Sequence, residues 1–586
     1  MQPVDYTTLM ASCVELKRDW IPSRLEQVYQ RDRFTISLAL RTLKAKPWLT
    51  ISWHPEAARI NLGDPPPRVK DTFTFSDQLR HQLNGLALIE IEAIAPWERV
   101  LDLQFAQRPG EPALWHLYVE IMGKYSNVIL TDAERQIITP ARQISSAQSS
   151  VRPIQTGQRY EVPPALTGTT PKLEESFERW QERVSLIPGQ LKRQLLKSYR
   201  GLSPKVAEEI AIAAGLSPQQ NTATLQPEDW QELFSYWQKW LIVLEQEQFD
   251  PGWRTDGYTV LGWDKIESVD SVQTLLNRYY TDEVNLQQFK QLYHQLNQKL
   301  TNLLKKLNLK ANTFRQRLQQ SADAESYRQQ GDLLMAHPHQ WQPGMKSIIL
   351  NDFETDEPIK IKLTPEKNAV QNAQVLYKNS QKLKRAKGAV VPLLAEVDAE
   401  INYLSQVQTS LNQLQSGKLN GTEDLQALAE IREELIQQGY LTSERQVDKQ
   451  KDESQPYRYT APSGCELWVG RNNRQNDILS FRTAVEYDLW FHTQEIPGSH
   501  VLLRLEPGAV PSEPDLQFTA DITAYYSQAR DSEQVPVVYT KPKHVYKPKG
   551  AKPGMAIYKH ETVIWGRPQV AKEYVVNSNV AHNKSS

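Results

Sequence analysis

"LNQKLTNLLKKLNLKANTFRQRL", residues 296–318, carries Leu296, Leu300, Leu303, Leu307, Ala311, Phe314 and Leu318 at intervals of 4, 3, 4, 4, 3 and 4. Apolar residues at those intervals share one side of an α-helix, and two passes of an 11-residue repeat describe a nearly straight or slightly right-handed coil. A helix with one apolar side needs something to bury it. A second long helical pattern, from about 368 to 415, supplies the partner. Between the two, "SIILNDFETDEPIKIKL" (347–363) reads as strands and turns. The expectation is an antiparallel coiled-coil arm closed by a small β cap at about 333–365.

The charge pattern adds a function to that shape. Residues 284–322 hold Lys290, Lys299, Lys305, Lys306, Lys310, Arg315 and Arg317 and no acid. Residues 367–391 hold Lys367, Lys378, Lys382, Lys384, Arg385 and Lys387, again without one acid. A charge run is most often a solvated face. Two unbalanced basic segments on helices that pair with each other repel, and a polyanion relieves the repulsion. The pattern therefore favours a nucleic-acid contact over a solvated face.

Around the arm, 586 residues exceed one core, and typical domain sizes give about four units. A hydrophobic content of 39% and a charged content of 23% are those of a soluble globular chain. The net charge of -1 conceals the basic segments. Two cysteines, Cys13 and Cys465, make no disulfide framework, and the first residues are too charged for a signal peptide. No window reaches roughly 18 consecutive apolar residues. The expectation is a cytoplasmic protein with no membrane span.

Residues 1–175 read as a mixed α/β domain: an amphipathic helix in "YTTLMASCVELKRDW", then short strands, with "LYVEIMGKYSNVILTD" as two strands about a tight loop at Gly123–Asn127. Residues 176–275 read as a helical domain containing "SYRGLSPKVAEEIAIAAGLS". There Ser203 suits an N-cap, Pro204 the first helical position and Gly215 a C-cap, with Ala207, Ile210 and Ala214 as the apolar stripe. A helix-hairpin-helix whose amides hold a phosphate and a plain helical hairpin fit this motif equally. Residues 276–450 form the middle domain, its polar end from 417 linking onward; 456–570 form an α/β unit, and 571–586 read as a disordered tail.

Two stretches of the last unit invite chemistry. "YTKPKHVYKPKGAKPG" places Lys541, Lys543, Lys547, Lys549 and Lys552 among Tyr539 and Tyr546, which suits phosphate contact with base stacking, or a lysine-rich edge strand that blocks aggregation. "EYDLWFHTQEIPGSHVLLRL" (486–505) gathers Asp488, Trp490, His492, Ser499 and His500. The spacing of the two histidines matches no common zinc pattern, and no G-x-S-x-G supports a Ser-His-Asp arrangement. A binding surface fits these residues better than catalysis, and a buried aromatic strand with polar caps is the plain alternative.

"DLWFHTQEIPGSHVLLR", with "VGRNNRQND" before it and "YSQAR", "VVYT" and "KPKGAKPG" after it, resembles the C-terminal NFACT-R domain of the RqcH/NEMF family. "EIMGKYSNVILTD", "GLSPKVAEEI", "YRQQGDLL" and "NAQVLYKNSQKLKRAK" resemble the other parts of that family, in the same order and over essentially the whole chain. Older naming calls its members fibronectin-binding proteins. The resemblance implies an NFACT-N domain, a helix-hairpin-helix domain, the coiled-coil arm and NFACT-R. It implies a ribosome-associated quality-control factor that binds obstructed large ribosomal subunits carrying peptidyl-tRNA. Such a factor recruits alanyl-tRNA and directs mRNA-independent C-terminal alanine tailing, which marks the nascent chain for degradation. Peptide-bond formation stays with the ribosome, so the chain would be an RNA-binding adaptor and no enzyme, with no cofactor and no metal. The arm would reach the stalk base, and a small RNA-binding protein of the RqcP type is a further candidate partner.

Carried over residue by residue, the family's tRNA-recruiting Asp-Arg pair falls on Glu98-Arg99 in "APWERVLDLQF", where the carboxylate is one methylene longer. Lys124, Ser126 and Asn127 of "MGKYSN" join Lys305, Lys306, Lys310, Arg315, Lys384, Arg385, Asp488, Trp490, His492, Ser499, His500, Lys541, Lys543, Lys547 and Lys549 as RNA-contact candidates. The other function classes are a binding-only ribosome or tRNA factor, a surface adhesin, and a nuclease or glycosylase. The last lacks its constellation: the glycosylases that the N-terminal domain resembles use a terminal proline amine, and here Pro3 is too far in.

Overall fold

The computed structural model describes residues 1–66, 71–149, 151–164, 168–415, 421–442 and 454–582. It comprises two compact units, Met1–Val284 and Asn285–Ser586, of mixed α and β structure with antiparallel sheets and long helices.

In the first unit, nine strands form one sheet: β1 (Ser23–Asp32), β2 (Thr35–Arg41), β3 (Trp48–Ser52), β4 (Arg59–Gly63), β5 (Ala87–Ala93), β6 (Val100–Ala106), β7 (Trp115–Glu120), β8 (Asn127–Asp132) and β9 (Ile137–Pro140). Their order is β4-β3-β2-β1-β5-β6-β7-β8-β9. Alternation sorts the side chains. Leu117 and Val119 enter the core shared with helix Tyr6–Trp20, whose Leu9, Cys13 and Leu16 are buried there. Tyr118, one residue out of phase, stacks on Tyr160 on the opposite face with ring centroids 3.8 Å apart. The loop between β7 and β8 is a single 3₁₀ turn, Gly123–Tyr125.

The helical hairpin has the expected caps. Helix Pro204–Ala213 starts at Ser203, whose hydroxyl accepts from the amide of Val206, and Gly215 at φ 75° follows its end. The expected boundary at 275 does not match the packing. Tyr258 and Val260, and then Val272, Leu275, Leu276 and Tyr280, are buried in the core of the nine-stranded sheet. Their partners lie far earlier in the chain, beyond the reach of local periodicity.

Helix Val272–Ser321 continues into the second unit, where it packs on helix Ala369–Gln415. Leu296, Leu300 and Leu304 pack in one cluster with Leu404, Val407 and Leu411; Ala311 and Phe314 pack in another with Val390 and Val397. The reversed numbering makes the pair antiparallel. Leu304 is buried and Leu303 only partly so, a shift from the expected stripe. A third helix, Gly421–Gln437, adds Leu428, Ile431 and Leu435 to the same core and widens the side of the long helix that is covered. That helix replaces the link expected from 417; residues 416–420 and 443–453 lie outside the described residues. The cap is a hairpin of Ser347–Asn351 with Pro358–Lys362, its Ile348, Leu350 and Ile361 packed on Leu333, Leu334 and Ala373.

The last sheet has six strands in the order Tyr457–Thr460, Glu466–Val469, Val501–Leu503, Leu489–Thr493, Val535–Thr540, Thr562–Gly566. Its core face is covered by helix Glu513–Tyr525 and by helix Pro568–His582, which buries Ala571 and Val575. The tail expected to be disordered from 571 is thus helical through His582, because two apolar residues four apart give it a side to bury; residues 583–586 lie outside the described residues. No helix among the described residues is long and apolar enough to cross a membrane.

Two leucines of the long helix test the seam. Leu300 is fully buried and Leu309 is 70% exposed. Leu300→Ala is expected to lower stability by about 2–5 kcal/mol, and Leu309→Ala to change it by less than about 0.5 kcal/mol. Urea unfolding monitored by circular dichroism separates the two; equal effects would mean that the two long helices do not pair in this register.

Candidate nucleic-acid interface

Glu98 and Arg99 lie on the connection from β5 to β6, and Trp97 fixes where that connection goes. Trp97 has φ 66°, a left-handed conformation that disfavours a bulky side chain. Its indole packs against Tyr6 at 4.8 Å and Trp240 at 5.4 Å between ring centroids. Gly201, at φ 82°, lies beneath it, and a Cβ there would come within 2.8 Å of the indole. Trp240 in turn donates from its indole N–H to the Thr7 hydroxyl at 2.9 Å. The wedge joins the first helix, the hairpin and helix Pro227–Gln246.

Glu98 then faces Arg200, with Oε1 3.9 Å from the guanidinium. Burial raises the Glu98 carboxyl above its ordinary value, opposed by the charges of Arg200 and Arg99. A shallow pocket of about 460 Å³ opens here, walled by Pro96, Trp97, Pro163 and Lys172 as well as Glu98 and Arg200. The side chain of Arg99 is partly exposed, and its carbonyl accepts from the amide of Ile121, which ties the pair to β7. The N-terminus of helix Pro204–Ala213 has a different neighbour from the phosphate considered for it. The Ser203 hydroxyl donates to the Asp5 carboxylate at 2.6 Å, so an acid already stands there.

The "MGKYSN" candidates divide. Lys124 is exposed and lies 5.0 Å from the Tyr125 ring. Ser126 and Asn127 are buried: the Ser126 hydroxyl accepts from the Met122 amide at 2.8 Å, and the Asn127 side chain bonds both the amide and the carbonyl of Arg142. These two hold the turn that presents Lys124 and are not available for RNA contact. On the paired helices, Lys305, Lys306, Lys310, Lys384 and Arg385 are exposed. Arg315 is also exposed but ion-paired to Asp398 at 2.7 Å, an acid just beyond the second basic segment.

The 486–505 stretch is mostly interior. Asp488, fully buried, accepts from the amides of Val485 and Leu505 and lies 3.5 Å from Arg504. The indole N–H of Trp490 donates to Ser480, whose hydroxyl meets His500 Nδ1 at 2.6 Å. The Ser499 hydroxyl donates to the carbonyl of Gly470 at 2.6 Å. Asp488, Trp490, Ser499 and His500 are therefore a buried hydrogen-bonding framework, of which the Trp490 and His500 rings also line a pocket, and Ser499, His500 and Asp488 do not form a triad. Among the described residues no group of three or more His, Cys, Asp or Glu is placed to hold a metal. Burial lowers His492 to about 4 and His500 to about 3, and the neighbouring His492 pushes His500 further down. Both imidazoles are neutral near pH 7.

The lysine-rich segment does not continue an edge strand of the six-stranded sheet. Val535–Thr540 runs between two other strands, and after it the chain makes a turn and a short ribbon of Val545–Tyr546 with Ile557–Tyr558. Lys541, Lys543 and Lys549 are exposed, as is Tyr546 at 48%. Lys547 pairs with Asp477, and Lys552 donates to the Tyr440 hydroxyl while lying 4.6 Å from the Tyr403 ring.

A model of the NFACT N-terminal and middle domains matches residues 5–455, and one of the NFACT protein RNA binding domain matches residues 455–560. The chain belongs to the RqcH/NEMF family of NFACT proteins. It is 31% identical over 580 residues to the Rqc2 homolog RqcH of Bacillus subtilis, covering 94% of this chain and 96% of that one. It is 30% identical over 575 residues to the Rqc2 homolog RqcH of Streptococcus pneumoniae serotype 2, covering 95% and 96%. Among solved structures, the C-terminal part of the fibronectin/fibrinogen-binding protein from Streptococcus suis aligns at 32% identity with a TM-score of 0.38, covering 50% of this chain and 98% of that one.

Within this NFACT chain, the neighbours that sequence reasoning missed are Trp97, Gly201 and Arg200. "SYRGLS" marks a turn, but nothing local shows that its arginine and glycine meet the β5–β6 connection. Asn476 and Ser480, which hold His500, were equally silent for the same reason.

Two neutral imidazoles make the second unit acid-sensitive. Their folded values lie below the unfolded value of about 6.5, so the unfolded chain takes up protons first as pH falls. Stability from this source is full above about pH 6.5 and is lost as pH falls toward the folded values. The urea midpoint of the second unit is expected to drop between about pH 7 and about pH 5, with a smaller drop in His500→Asn. A midpoint that is flat over that range in the wild-type protein would place both rings in solvent.

Proposed function

We propose that this chain is a ribosome-associated quality-control factor of the RqcH type. It binds obstructed large ribosomal subunits carrying peptidyl-tRNA, recruits alanyl-tRNA, and directs C-terminal alanine tailing of the stalled nascent chain. In this reading it is an adaptor, and the peptidyl transferase centre forms the peptide bonds. The observation that carries the reading is one chain, similar along its whole length to RqcH proteins, that joins an RNA-binding domain to a row of exposed cations on long paired helices.

The work divides by region. The paired helices act as a coiled-coil arm reaching the stalk base, with Lys305, Lys306, Lys310, Lys384 and Arg385 on rRNA phosphates. The NFACT-N domain recruits tRNA through Arg99, whose placement depends on Glu98. The longer Glu98 side chain turns toward Arg200 and shares in holding the β5–β6 connection against the hairpin. Lys124, Lys541, Lys543 and Lys549 supply further phosphate contacts. A small RNA-binding partner of the RqcP type completes the assembly.

The two halves of the reading separate by mutation. Neutralising Lys305, Lys306 and Lys310 together is expected to weaken binding to purified large subunits and to flatten its salt dependence by about 0.7–0.9 in log–log slope for each phosphate no longer neutralised. Arg99→Ala is expected to leave subunit binding intact while tRNA no longer co-purifies. Equal loss of subunit binding in both would refute the division.

For the whole function, the tagged protein is purified from its own cells and the bound RNA sequenced. Large-subunit rRNA with alanine tRNA enriched is the expected result. Subunit rRNA without any enriched tRNA would leave a binding-only factor.

A further inference from the structure

We propose that a pocket beside the Pro497-Gly498 turn receives a single unpaired nucleobase from RNA held by the C-terminal domain; this rests on the RNA-binding reading and gives it a specific subsite. The pocket has a volume of about 520 Å³. Asn402 and Gln406, one turn apart on helix Ala369–Gln415, form one wall, and Trp490, His492, Glu495 and Tyr558 form others. Gln406 pins the turn by donating to the Gly498 carbonyl at 2.6 Å. His492 is stacked on Trp490, with planes 19° apart, and Trp490 meets Tyr558 at 5.6 Å between centroids. One hydrogen bond and two ring contacts thus hold these walls together in the folded chain.

Three observations select the ligand class. First, His492 lines the pocket with a partly exposed ring whose buried Nε2 faces the backbone of Gly498 and Thr493 without a hydrogen bond of normal geometry. An unmatched buried polar atom of this kind costs about 1–3 kcal/mol and calls for an explanation. Second, Glu495 stands at the mouth, exposed, with φ 55°. A non-glycine residue held in the left-handed region is strained by about 1–3 kcal/mol, and such strain gathers at functional positions. Third, the lining has no cation: amides, a carboxylate, two neutral imidazoles, aromatic rings, and the apolar Ile496, Pro497, Met555 and Ala556. A phosphate finds nothing there to neutralise it, and a purely apolar ligand would strand the amides. A flat, uncharged ring with donors and acceptors along its edge satisfies both conditions, as a nucleobase does. The Glu495 carboxylate can only accept, so it favours bases with an exocyclic amine over uracil, whose one donor, N3–H, lies between two carbonyls that repel a carboxylate. The sugar and phosphates stay outside, where Lys559 follows Tyr558 in the chain and is exposed.

The source of the base, rRNA or tRNA, is settled by the same test. The full-length protein is titrated with AMP, CMP, GMP and UMP by ligand-observed NMR. Saturable binding at millimolar concentration is expected, with UMP weaker than the best amine-bearing nucleotide by about tenfold. Two variants probe the pocket. Asn402→Trp fills it from an exposed helix position, and Glu495→Gly removes the carboxylate while relaxing the backbone. Each is expected to weaken nucleotide binding by about tenfold. Ultraviolet crosslinking of the wild-type protein to large subunits and, separately, to tRNA then shows which RNA reaches Tyr558. Nucleotide binding that is absent, or unchanged in both variants, overturns the pocket while subunit binding by the wild type keeps the RNA reading. A wild-type protein that binds neither RNA overturns the RNA reading itself.

Discussion

The seam between the two long helices is what allows a helix with no acid between residues 284 and 321 to persist. Like charges one turn apart on a helix disfavour it by a few tenths of a kcal/mol per pair in water, about 0.2–0.5. Burying a leucine is worth about 1.5–3 kcal/mol. Leu296, Leu300, Leu304, Leu404, Val407 and Leu411 are all buried along the seam, so apolar contact outweighs repulsion by a wide margin. The cations are then free to remain unbalanced on the outside. Among the described residues, Arg315 is the candidate on these helices that is drawn into an ion pair, with Asp398. Stability and charge are thus assigned to different sides of the same helices, and the charge can be spent on a partner without loosening the seam.

A comparable separation operates at the β5–β6 connection. Arg99 keeps its cation partly exposed because Trp97, one residue before Glu98, carries the packing. The left-handed conformation at Trp97 is tolerated since its indole is gripped by Tyr6, Trp240 and the bare backbone of Gly201. Glycine at 201 is required twice over, by its φ of 82° and by the indole above it. Side-chain length at position 98 therefore matters through Arg200 as much as through any RNA: a shorter carboxylate would sit farther from that guanidinium.

Local patterns in the sequence revealed the elements, and non-local contacts decided the rest. Helical periodicity located both long helices, and the strand-and-turn pattern of 347–363 located the cap, because each needs only near neighbours to be recognised. It placed Leu303 in the seam where Leu304 is buried, since the third helix, Gly421–Gln437, is invisible to a two-helix repeat. The burial of Tyr258 and Val260 against strands formed before residue 130 has no local signature at all. In the 486–505 stretch the residue types were informative but their direction was not. A strand alternates sides, and only the partners Ser480, Asn476 and Gly470 show that Trp490, His500 and Ser499 face inward.

The inward turn of those polar residues also explains the electrostatics of the last domain. A protonated imidazole at His500 would carry a desolvated charge, for the ring meets the Ser480 hydroxyl and a backbone carbonyl of Asn476. Burial therefore keeps both rings neutral, and hydrogen bonds hold the framework around His500, while Asp488 faces Arg504. The domain's positive charge is carried instead by lysines on the turn and ribbon that follow Val535–Thr540. Phosphate attraction acts at longer range and is screened by salt, whereas recognition of a base edge needs fixed donors and acceptors at short range. Buried neutral hydrogen-bonding groups and surface lysines thus occupy separate parts of the same domain, and neither has to be compromised for the other.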